Sequence, residues 1–581
     1  MGGDLTLLQR RLSVARGDEP ADVVIRGGRV LSVFTDELLD ADVAIAGEHV
    51  AGVGQYESGA KVVDASGLVL VPGFVDPHMH LESTKLMIDQ FARAVLPKGT
   101  TTVVLDPHEI ANVFGLKGVR ELLAEAHHVP LDSFVMVPSC VPASRFETGA
   151  ATVEASDVAN FLEEHAEVLG LAEVMDFPGV VGGHSGPLAK VAETLAAGKH
   201  ADGHAPGLTG RELNAYLATG IRSDHECTTA EEALEKRRLG MWILMREGSA
   251  ARNVEALLPV VLDHGPENFA LCTDDREPDD LLSEGHMNDA VRKAVSLGCP
   301  PAVAVKMATL NSARYHRLPE HGAVAPGYLA DVVALPDLEG FQPVHVWKRG
   351  RLVASDGVAA EIPRIVAPDW MRGSVHAPEV SPADFRISAI GRVRVIGVEG
   401  ADLVTRALVT EAATRDGEAV ADPDRDIVKV AVIERHRGTG RMGLGFVSGF
   451  GLRRGALAST IAHDAHNLGV VGVDDADMAL AANRLRDIGG GQVVVVDGRV
   501  MAELACPIGG LLSDRSAEEV AAEARALQAA CRELGVILPA AFMTMSFLAL
   551  SVLPELRITD RGLVDVLRFE LVDLEARSRR P

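Results

Sequence analysis

The chain is poor in cysteine. Its 581 residues include only six cysteines. They are far apart and form no CxxC pair: Cys140, Cys227, Cys272, Cys299, Cys506 and Cys531. Neither a disulfide framework nor a zinc site built from thiolates is predicted, and this pattern is typical of a reducing compartment.

Basic charge and long hydrophobic runs are also scarce. The net charge is −26 at pH 7, which argues against nucleic-acid or anionic-membrane partners, because both require a basic surface. No apolar run reaches the roughly 18 residues of a membrane span. The N-terminal segment from Met1 to Asp22 is charged and lacks the apolar core of a signal peptide. We therefore expect a cytoplasmic protein.

The length is too great for one ordinary hydrophobic core, so several domains are expected. Residues 1–20 are predicted to form a short helix and a linker. Short β segments in 21–71 and again in 321–375 predict one small β-sandwich made from both flanks. Residues 72–320 lie between these flanks, and residues 380–581 are predicted to form a separate C-terminal α+β domain.

The segment 72–320 has the size and the alternation of strands and helices that are typical of a (β/α)₈ barrel. We predict eight strands, at about 69–76, 101–106, 132–138, 168–174, 200–204, 220–225, 240–246 and 268–274. The fold class is therefore α/β. In a barrel of parallel strands the carboxyl ends of all the strands meet at one mouth.

Side chains that can bind metal stand at several of these strand ends. His78 and His80 are two residues apart on an extended segment, so their imidazoles face the same side. Glu173, His204 and His225 end the fourth, fifth and sixth predicted strands. Asp274 ends the eighth and can bind a metal or accept a proton from activated water. Taken one at a time, each of these residues could equally be a hydrogen-bonded loop residue.

Other polar residues near the predicted mouth leave two interpretations open. Asp106 and His108 repeat the spacing of two residues, but Asp106 could simply cap a helix after an Asp-Pro turn. Arg246, Glu247 and His286 could hold a substrate, but helix capping or ion pairing explains them equally well.

The combined order of these residues resembles the amidohydrolase superfamily and, within it, the bacterial adenine deaminase branch. The resemblance covers nearly the whole chain. It is carried by Pro72-Gly73-Phe74-Val75-Asp76-Pro77-His78-Met79-His80-Leu81-Glu82-Ser83, Asp106-Pro107-His108-Glu109-Ile110-Ala111-Asn112, Gly170-Leu171-Ala172-Glu173, Asp202-Gly203-His204-Ala205-Pro206-Gly207, Met245-Arg246-Glu247-Gly248-Ser249, Cys272-Thr273-Asp274-Asp275-Arg276 and His463-Asp464-Ala465-His466-Asn467.

The resemblance implies a centre of two divalent metal ions. It assigns His78, His80 and Asp274 to one ion and His204 and His225 to the other. Glu173 would bridge the two, at the place where many amidohydrolases carry a carbamylated lysine. Manganese or iron is implied, and zinc is also compatible with nitrogen and oxygen ligands.

The implied reaction is the hydrolytic deamination of adenine to hypoxanthine and ammonia. The predicted catalytic residues are Asp274, Glu173 and His225. The candidate substrate-binding residues are Asp106, His108, Glu82, Arg246, Glu247 and His286. A zinc deaminase of the other class is disfavoured, because that class requires a P-C-x-x-C motif and the chain has none.

Alternatives to adenine deamination stay open at this point. The chain could act on another aminopurine or on a cyclic amide, or it could be a scaffold that kept the fold without the activity. A homodimer or higher homo-oligomer is expected. His463 and His466 could belong to a lid, to an interface or to an ordinary polar turn.

Overall fold

The structure is a computed structural model, and it describes residues 5–388, 391–400 and 404–576. A helix at Leu5–Ala15 is followed by two β-sheets, and the larger one contains strands from both sides of the central segment. The four-stranded sheet has the order His49–Gly54, Asp42–Ala46, Ala21–Arg26 and Gly59–Asp64. The seven-stranded sheet has the order Val358–Ala359, Arg351–Ser355, His345–Lys348, Val332–Leu335, Val69–Pro72, Arg29–Ser32 and Glu37–Asp40.

Eight further strands follow in the central segment, and helices lie between them. The strands are β1 Phe74–Met79, β2 Thr100–Leu105, β3 Asp132–Val135, β4 Gly170–Val174, β5 His200–Gly203, β6 Ser223–Asp224, β7 Trp242–Arg246 and β8 Phe269–Cys272. The α-helices are Ile88–Val95, His108–Phe114, Leu116–Ala126, Ala155–Glu164, Phe177–Val181, Ser185–Ala196, Gly210–Ala218, Ala230–Arg238, Val254–His264, Pro278–Ser283, Met287–Ser296, Pro301–Met307 and Leu310–Tyr315. This mixed α/β order agrees with the expected fold class.

These strands pair in parallel. Ladders join β1 to β2, β2 to β3, β4 to β5, β6 to β7 and β7 to β8. Single parallel bridges connect Val137 with Leu171 and Met79 with Asp274. The backbone N–H of Gly203 donates to Ser223 Oγ at 2.9 Å, which links the ends of β5 and β6. Because the strands are parallel, their carboxyl ends lie on the same side.

The prediction of a single first strand at 69–76 was wrong, because the structure has two strands there. The chain leaves one sheet at Pro72 and enters another at Phe74. Gly73 makes this transition, and its N–H donates to Asp331 O at 2.9 Å. A side chain at this position would meet Thr101 Oγ1 at 2.2 Å, so only glycine lets the two strands approach.

An eight-stranded sheet dominates the C-terminal region. Its order is Thr405–Glu411, Arg392–Val398, Met442–Ser448, Ile427–Ile433, Leu468–Gly472, Ala456–Ser459, Gly491–Val496 and Arg499–Ala505. Two three-stranded sheets accompany it: Ile387–Ser388, Glu418–Val420 and Ala413–Arg415; and Leu556–Thr559, Gly562–Asp565 and Glu570–Val572. The helices are Asp475–Ile488, Ala517–Glu533 and Ala541–Phe547. Short 3₁₀ turns occur at Glu82–Thr84, Leu96–Lys98, Asp369–Met371, Pro382–Phe385 and Pro423–Arg425.

The two long C-terminal helices each begin at a residue that caps the helix through its side chain. Asp474 accepts hydrogen bonds from the N–H groups of Ala476 and Asp477 and caps the first helix. Ser516 and Glu519 form a reciprocal capping box at the start of the second. Within the described residues, no helix is long and apolar enough to cross a membrane.

Candidate active site

The carboxylate of Asp274 lies against the two histidines of β1. Asp274 Oδ1 is 3.3 Å from His78 Nε2 and 3.1 Å from His80 Nε2. The bridge between Met79 and Asp274 brings the end of β8 beside β1. His80 Nδ1 lies 3.0 Å from Asp106 O, a group that only accepts, so Nδ1 carries a proton and Nε2 is the nitrogen that faces Asp274.

Glu173 occupies the centre of the cluster. Its Oε2 lies 2.6 Å from His204 Nδ1 and 3.2 Å from His225 Nε2. Its Oε1 lies 3.5 Å from His80 Nε2 and 4.0 Å from His78 Nε2. The pairing of β4 is irregular between Leu171 and Val174, and such irregularities redirect side chains next to functional sites. One carboxylate thus faces all four histidines.

Charge is concentrated in this buried cluster. Burial alone would raise the pKa of Glu173, but His225 and His204 hold that pKa well below its usual range. Burial would lower the pKa of His225, but Glu173 raises it to about 9. The His78 pKa is lowered by burial and by the neighbouring imidazole of His225. These shifts show that the carboxylate is kept ionised and that positive charge beside it is favoured.

The donor set suits a divalent metal. Four imidazoles and two carboxylates provide nitrogen and oxygen ligands of the kind that manganese, iron and zinc accept. His78, His80 and Asp274 have donor atoms within 4.8 Å of one another, and so have His78, Glu173 and His225. His78 Nε2 is buried and makes no hydrogen bond. Buried polar atoms normally have a partner, so this orphaned nitrogen fits a metal ligand.

Arg246 holds the outer oxygen of Asp274. Its guanidinium lies 2.6 Å from Asp274 Oδ2. It also binds both oxygens of Glu226, at 2.8 and 2.9 Å. Burial would raise the pKa of Asp274, but Arg246 and the imidazoles of His78 and His80 keep it well below its usual range. Arg246 was expected near a substrate. It also orients the carboxylate of Asp274, the predicted proton acceptor, and keeps it ionised.

A small pocket opens over this cluster. It is lined by His80, His108, Glu173, Met175, His204, His225, Glu226, Arg246, Asp274, Asp275, His463, Asp464, Phe547, Leu550 and Leu553. The floor is therefore polar and charged, whereas the residues after 540 supply an apolar wall.

Known proteins similar to this chain share its full length. It is 45% identical over 565 residues to the adenine deaminase of Kosmotoga olearia, which covers 97% of this chain and 98% of that protein. It is 48% identical over 559 residues to the adenine deaminase of Cereibacter sphaeroides, with 96% and 98% covered. The chain belongs to the adenine deaminase family.

Two family models match separate parts of the chain. Residues 69–353 match the amidohydrolase family, and residues 402–570 match the adenine deaminase C-terminal domain. Among solved structures, a β-aspartyl dipeptidase of Fervidobacterium islandicum is 18% identical, with a TM-score of 0.45, over 59% of this chain and 99% of that one. All the residues of the apolar wall fall within the match to the adenine deaminase C-terminal domain.

Asp106 and His108 lie beside the cluster. Asp106 Oδ1 accepts from the backbone N–H of His108 at 3.2 Å, which is the expected turn at the start of a helix. Asp106 Oδ1 also lies 3.2 Å from His108 Nδ1, and that nitrogen is 3.7 Å from Glu173 Oε1. His108 thus lines the pocket, whereas Asp106 does not and forms a turn with the His108 N–H.

Three other candidate substrate residues do not line this pocket. Glu82 Oε1 accepts from Ile110 N at 3.0 Å, and burial together with Glu109 raises its pKa to about 7. His286 lies behind β1, 3.0 Å from Thr100 Oγ1. Glu247 Oε2 is buried without a hydrogen bond. Their sequence positions after strands or before a helix did not distinguish them from pocket residues.

Several pocket residues were not predicted from the sequence. Glu226 directly follows His225, and that adjacency to a ligand candidate was an available signal. Phe547, Leu550 and Leu553 belong to an apolar segment with no distinguishing pattern. Phe547 stacks on the imidazole of His463, with ring centroids 4.8 Å apart. His463, whose role was left open, therefore faces the pocket rather than a surface turn.

Proposed function

We propose that this chain deaminates adenine by hydrolysis, giving hypoxanthine and ammonia. The observation that carries the proposal is the position of Glu173 among four imidazoles and beside Asp274, in a chain 45–48% identical to adenine deaminases. Glu173 stands where many amidohydrolases carry a carbamylated lysine, and the family resemblance links this replacement to the adenine deaminase branch.

The fold proposed for this activity is a (β/α)₈ barrel over residues 72–320. Its support is the set of parallel ladders and bridges that joins β1 through β5, and β6 through β8 back to β1. A small β-sandwich from 21–71 and 321–375 is supported by the seven-stranded sheet, which contains strands from both ranges. Residues 1–20 would precede it, and 380–581 would form the C-terminal α+β domain.

Two divalent ions are proposed for the buried cluster, manganese or iron in preference to zinc. His78, His80 and Asp274 would hold one ion, and His204 and His225 the other. Glu173 would face both, since its two oxygens point to different pairs of histidines. Bound ions of this kind lower the pKa of water and supply a nucleophile at neutral pH.

The protein side chains would handle the proton. Asp274 is ionised because Arg246 holds its pKa low, so its carboxylate is free to take a proton and, being a weak base, gives that proton up readily. We propose that it passes this proton to the amine that leaves C6 of adenine. Arg246 keeps Oδ2 fixed, which leaves Oδ1 directed at the two histidines of β1. Glu173 and His225 complete the proposed catalytic group.

Substrate contact is proposed for the pocket residues His108 and Arg246, and Asp106 would act through His108. Phe547, Leu550 and Leu553 would cover one face of the flat purine, because an apolar wall excludes water from the reacting centre. Glu82, Glu247 and His286 lie outside the lining and are not included in this contact set.

Ammonia release is the direct test. The purified chain would be assayed with adenine, guanine, a hydantoin and a dihydropyrimidine, with and without added Mn²⁺. We expect adenine to be preferred and Mn²⁺ to increase the rate. Preference for a cyclic amide would contradict the proposal and favour a different amidohydrolase activity. No turnover of any substrate at full metal content would favour the scaffold alternative.

A matched pair of variants tests the residues. Glu173→Gln removes the central charge and is expected to abolish turnover. Glu167→Gln, a nearby exposed glutamate, serves as the control and should retain wild-type kcat. A Glu173→Gln protein that retains wild-type kcat would sink the assignment.

A further inference from the structure

A second group of metal-binding side chains lies beside the proposed centre. It combines two residues of the helix His108–Phe114 with the loop after the strand Ala456–Ser459. The donor atoms of His108, His463 and Asp464 lie within 4.8 Å of one another. Those of Glu109, His463 and His466 also do, so the two sets share His463. None of the six proposed ligands of the first centre belongs to these two sets.

Several polar atoms of this group lack hydrogen-bond partners. Both carboxylate oxygens of Asp464 are buried and make no hydrogen bond, and the same is true of both ring nitrogens of His108. Asp464 is 1% exposed. Leaving an ionised carboxylate buried and unpaired costs several kcal/mol. Other buried acids of this chain avoid that cost: Asp224, for example, binds Lys236 Nζ at 2.8 Å.

The ring nitrogens and carboxylate oxygens of this group are too far apart for hydrogen bonds, and their separations match those of ligands around one cation. Asp464 Oδ1 lies 3.6 Å from His108 Nε2 and 3.6 Å from His463 Nδ1. His463 Nδ1 lies 3.5 Å from Glu109 Oε1. These separations exceed the usual hydrogen-bond length of roughly 2.7–3.2 Å. Ligand atoms about 2.1 Å from one tetrahedral ion are about 3.4 Å apart.

In the absence of an ion, imidazoles balance the charge of Asp464, since His108 and His463, against the effect of burial, hold the pKa of its carboxyl well below its usual range. Burial and the Asp464 carboxylate raise the pKa of Glu147 to about 8. The pKa of Glu109 is also raised, first by burial. Within the described residues, neither Glu109 nor Asp464 forms an ion pair with a lysine or arginine. A divalent cation between these groups would replace the protons that otherwise raise the pKa of His463 beside Glu109 and Asp464.

His466 has a different role. The backbone N–H of Ala462 donates a hydrogen bond to His466 Nδ1. This contact places the ring proton on Nε2, and a protonated nitrogen cannot bind a metal. His466 Nε2 lies 3.8 Å from Glu109 Oε2, so His466 is a positioning residue for that carboxylate.

We infer that His108, Glu109, His463 and Asp464 form an additional divalent-cation site between the helix His108–Phe114 and the C-terminal region. Two imidazoles and two carboxylates suit manganese, iron or zinc. His108 Nδ1 is 3.7 Å from Glu173 Oε1, so the additional ion lies on the far side of the His108 ring from the first centre. The site would join two parts of the chain that are far apart in the sequence.

Metal counting and anomalous diffraction test this site without relying on turnover. The full chain is grown with Mn²⁺, passed through metal-free buffer, and analysed for manganese per chain. Crystals are measured at the manganese absorption edge. We expect three ions per chain and an anomalous peak between His108, His463 and Asp464. Two ions and no peak at that position would overturn the inference.

Variants separate this site from the proposed catalytic centre. Asp464→Asn and His463→Gln should each lose one ion and the peak, whereas Glu173→Gln should keep the peak. Asp474→Asn, an exposed acid of the same region, is the matched control and should keep all three ions. An unchanged count in folded Asp464→Asn, checked by circular dichroism, would refute the site. Loss of the peak in Glu173→Gln would refute its independence.

Discussion

Replacing Arg246 by Met should weaken the site and shift its pH dependence while leaving most of its atoms in place. Two unit charges about 4 Å apart attract each other by about 4 kcal/mol at an effective dielectric constant of about 20. Arg246 and Asp274 are closer, at 2.6 Å, and both side chains are 3% exposed, so solvent screens the pair little. Removing one partner of a buried ion pair typically costs about 3–5 kcal/mol. We expect the free energy of unfolding to fall by that amount.

The sign of the pH effect follows from Asp274. Its pKa is depressed in the folded chain, so the contribution to stability is present above the unfolded value and is lost as pH falls through the folded value. Without Arg246 the pKa of Asp274 rises, and the acidic limb of the kcat/KM profile moves to higher pH. The stability difference from wild type should be largest near neutral pH and smaller in acid.

Denaturant unfolding and pH-dependent kcat/KM are the assays for this prediction. Glu226→Gln is the matched control, because it weakens the Arg246–Glu226 pair and leaves the Arg246–Asp274 pair. Its acidic limb should not move upward. A folded Arg246→Met protein with an unmoved acidic limb would refute the role given to the guanidinium.

Three further predictions concern stability. Lys236→Met leaves Asp224 buried without its cation and should lower the unfolding free energy by about 3–5 kcal/mol, with metal content unchanged; an unaltered denaturation midpoint would contradict this. Gly73→Ala places a methyl group 2.2 Å from Thr101 Oγ1 and should cost about 1–3 kcal/mol, measured in the same way against the exposed control Gly186→Ala. Chelation of bound metal should lower Tm, because Glu173 loses its counter-charge, and Mn²⁺ should restore it; a Tm insensitive to both would oppose a resident cation.

The sequence predicted that the candidate ligands lie close together, and the structure does bring them together, because this prediction depends only on local order. His78, His80, Glu173, His204 and Asp274 each end or follow a strand, and parallel strands place their ends on one side. No pairing information was needed for this step. The family resemblance then related the residues to one another.

What the sequence could not predict depends on contacts between distant segments. Pro72 and Phe74 form a continuous apolar run, and only the partners of each strand show that they belong to different sheets. His463 reaches Glu109, and Phe547 reaches the pocket, from segments far along the chain. Hydrophobic periodicity predicts which face of a helix or strand is buried, but it does not predict which segment packs against that face.

The apolar wall after residue 540 has a consequence for the order of synthesis. Ribosomes add about 5–20 residues per second. Asp274 therefore leaves the ribosome roughly 14–55 s before Phe547, and all of the strand-end ligands precede it. During that interval the pocket is open to water on one side, and for roughly the first 10–40 s His108 and Glu109 have no counterpart from the loop at His463. A nascent chain would thus hold its hydrolytic residues long before it could enclose a purine.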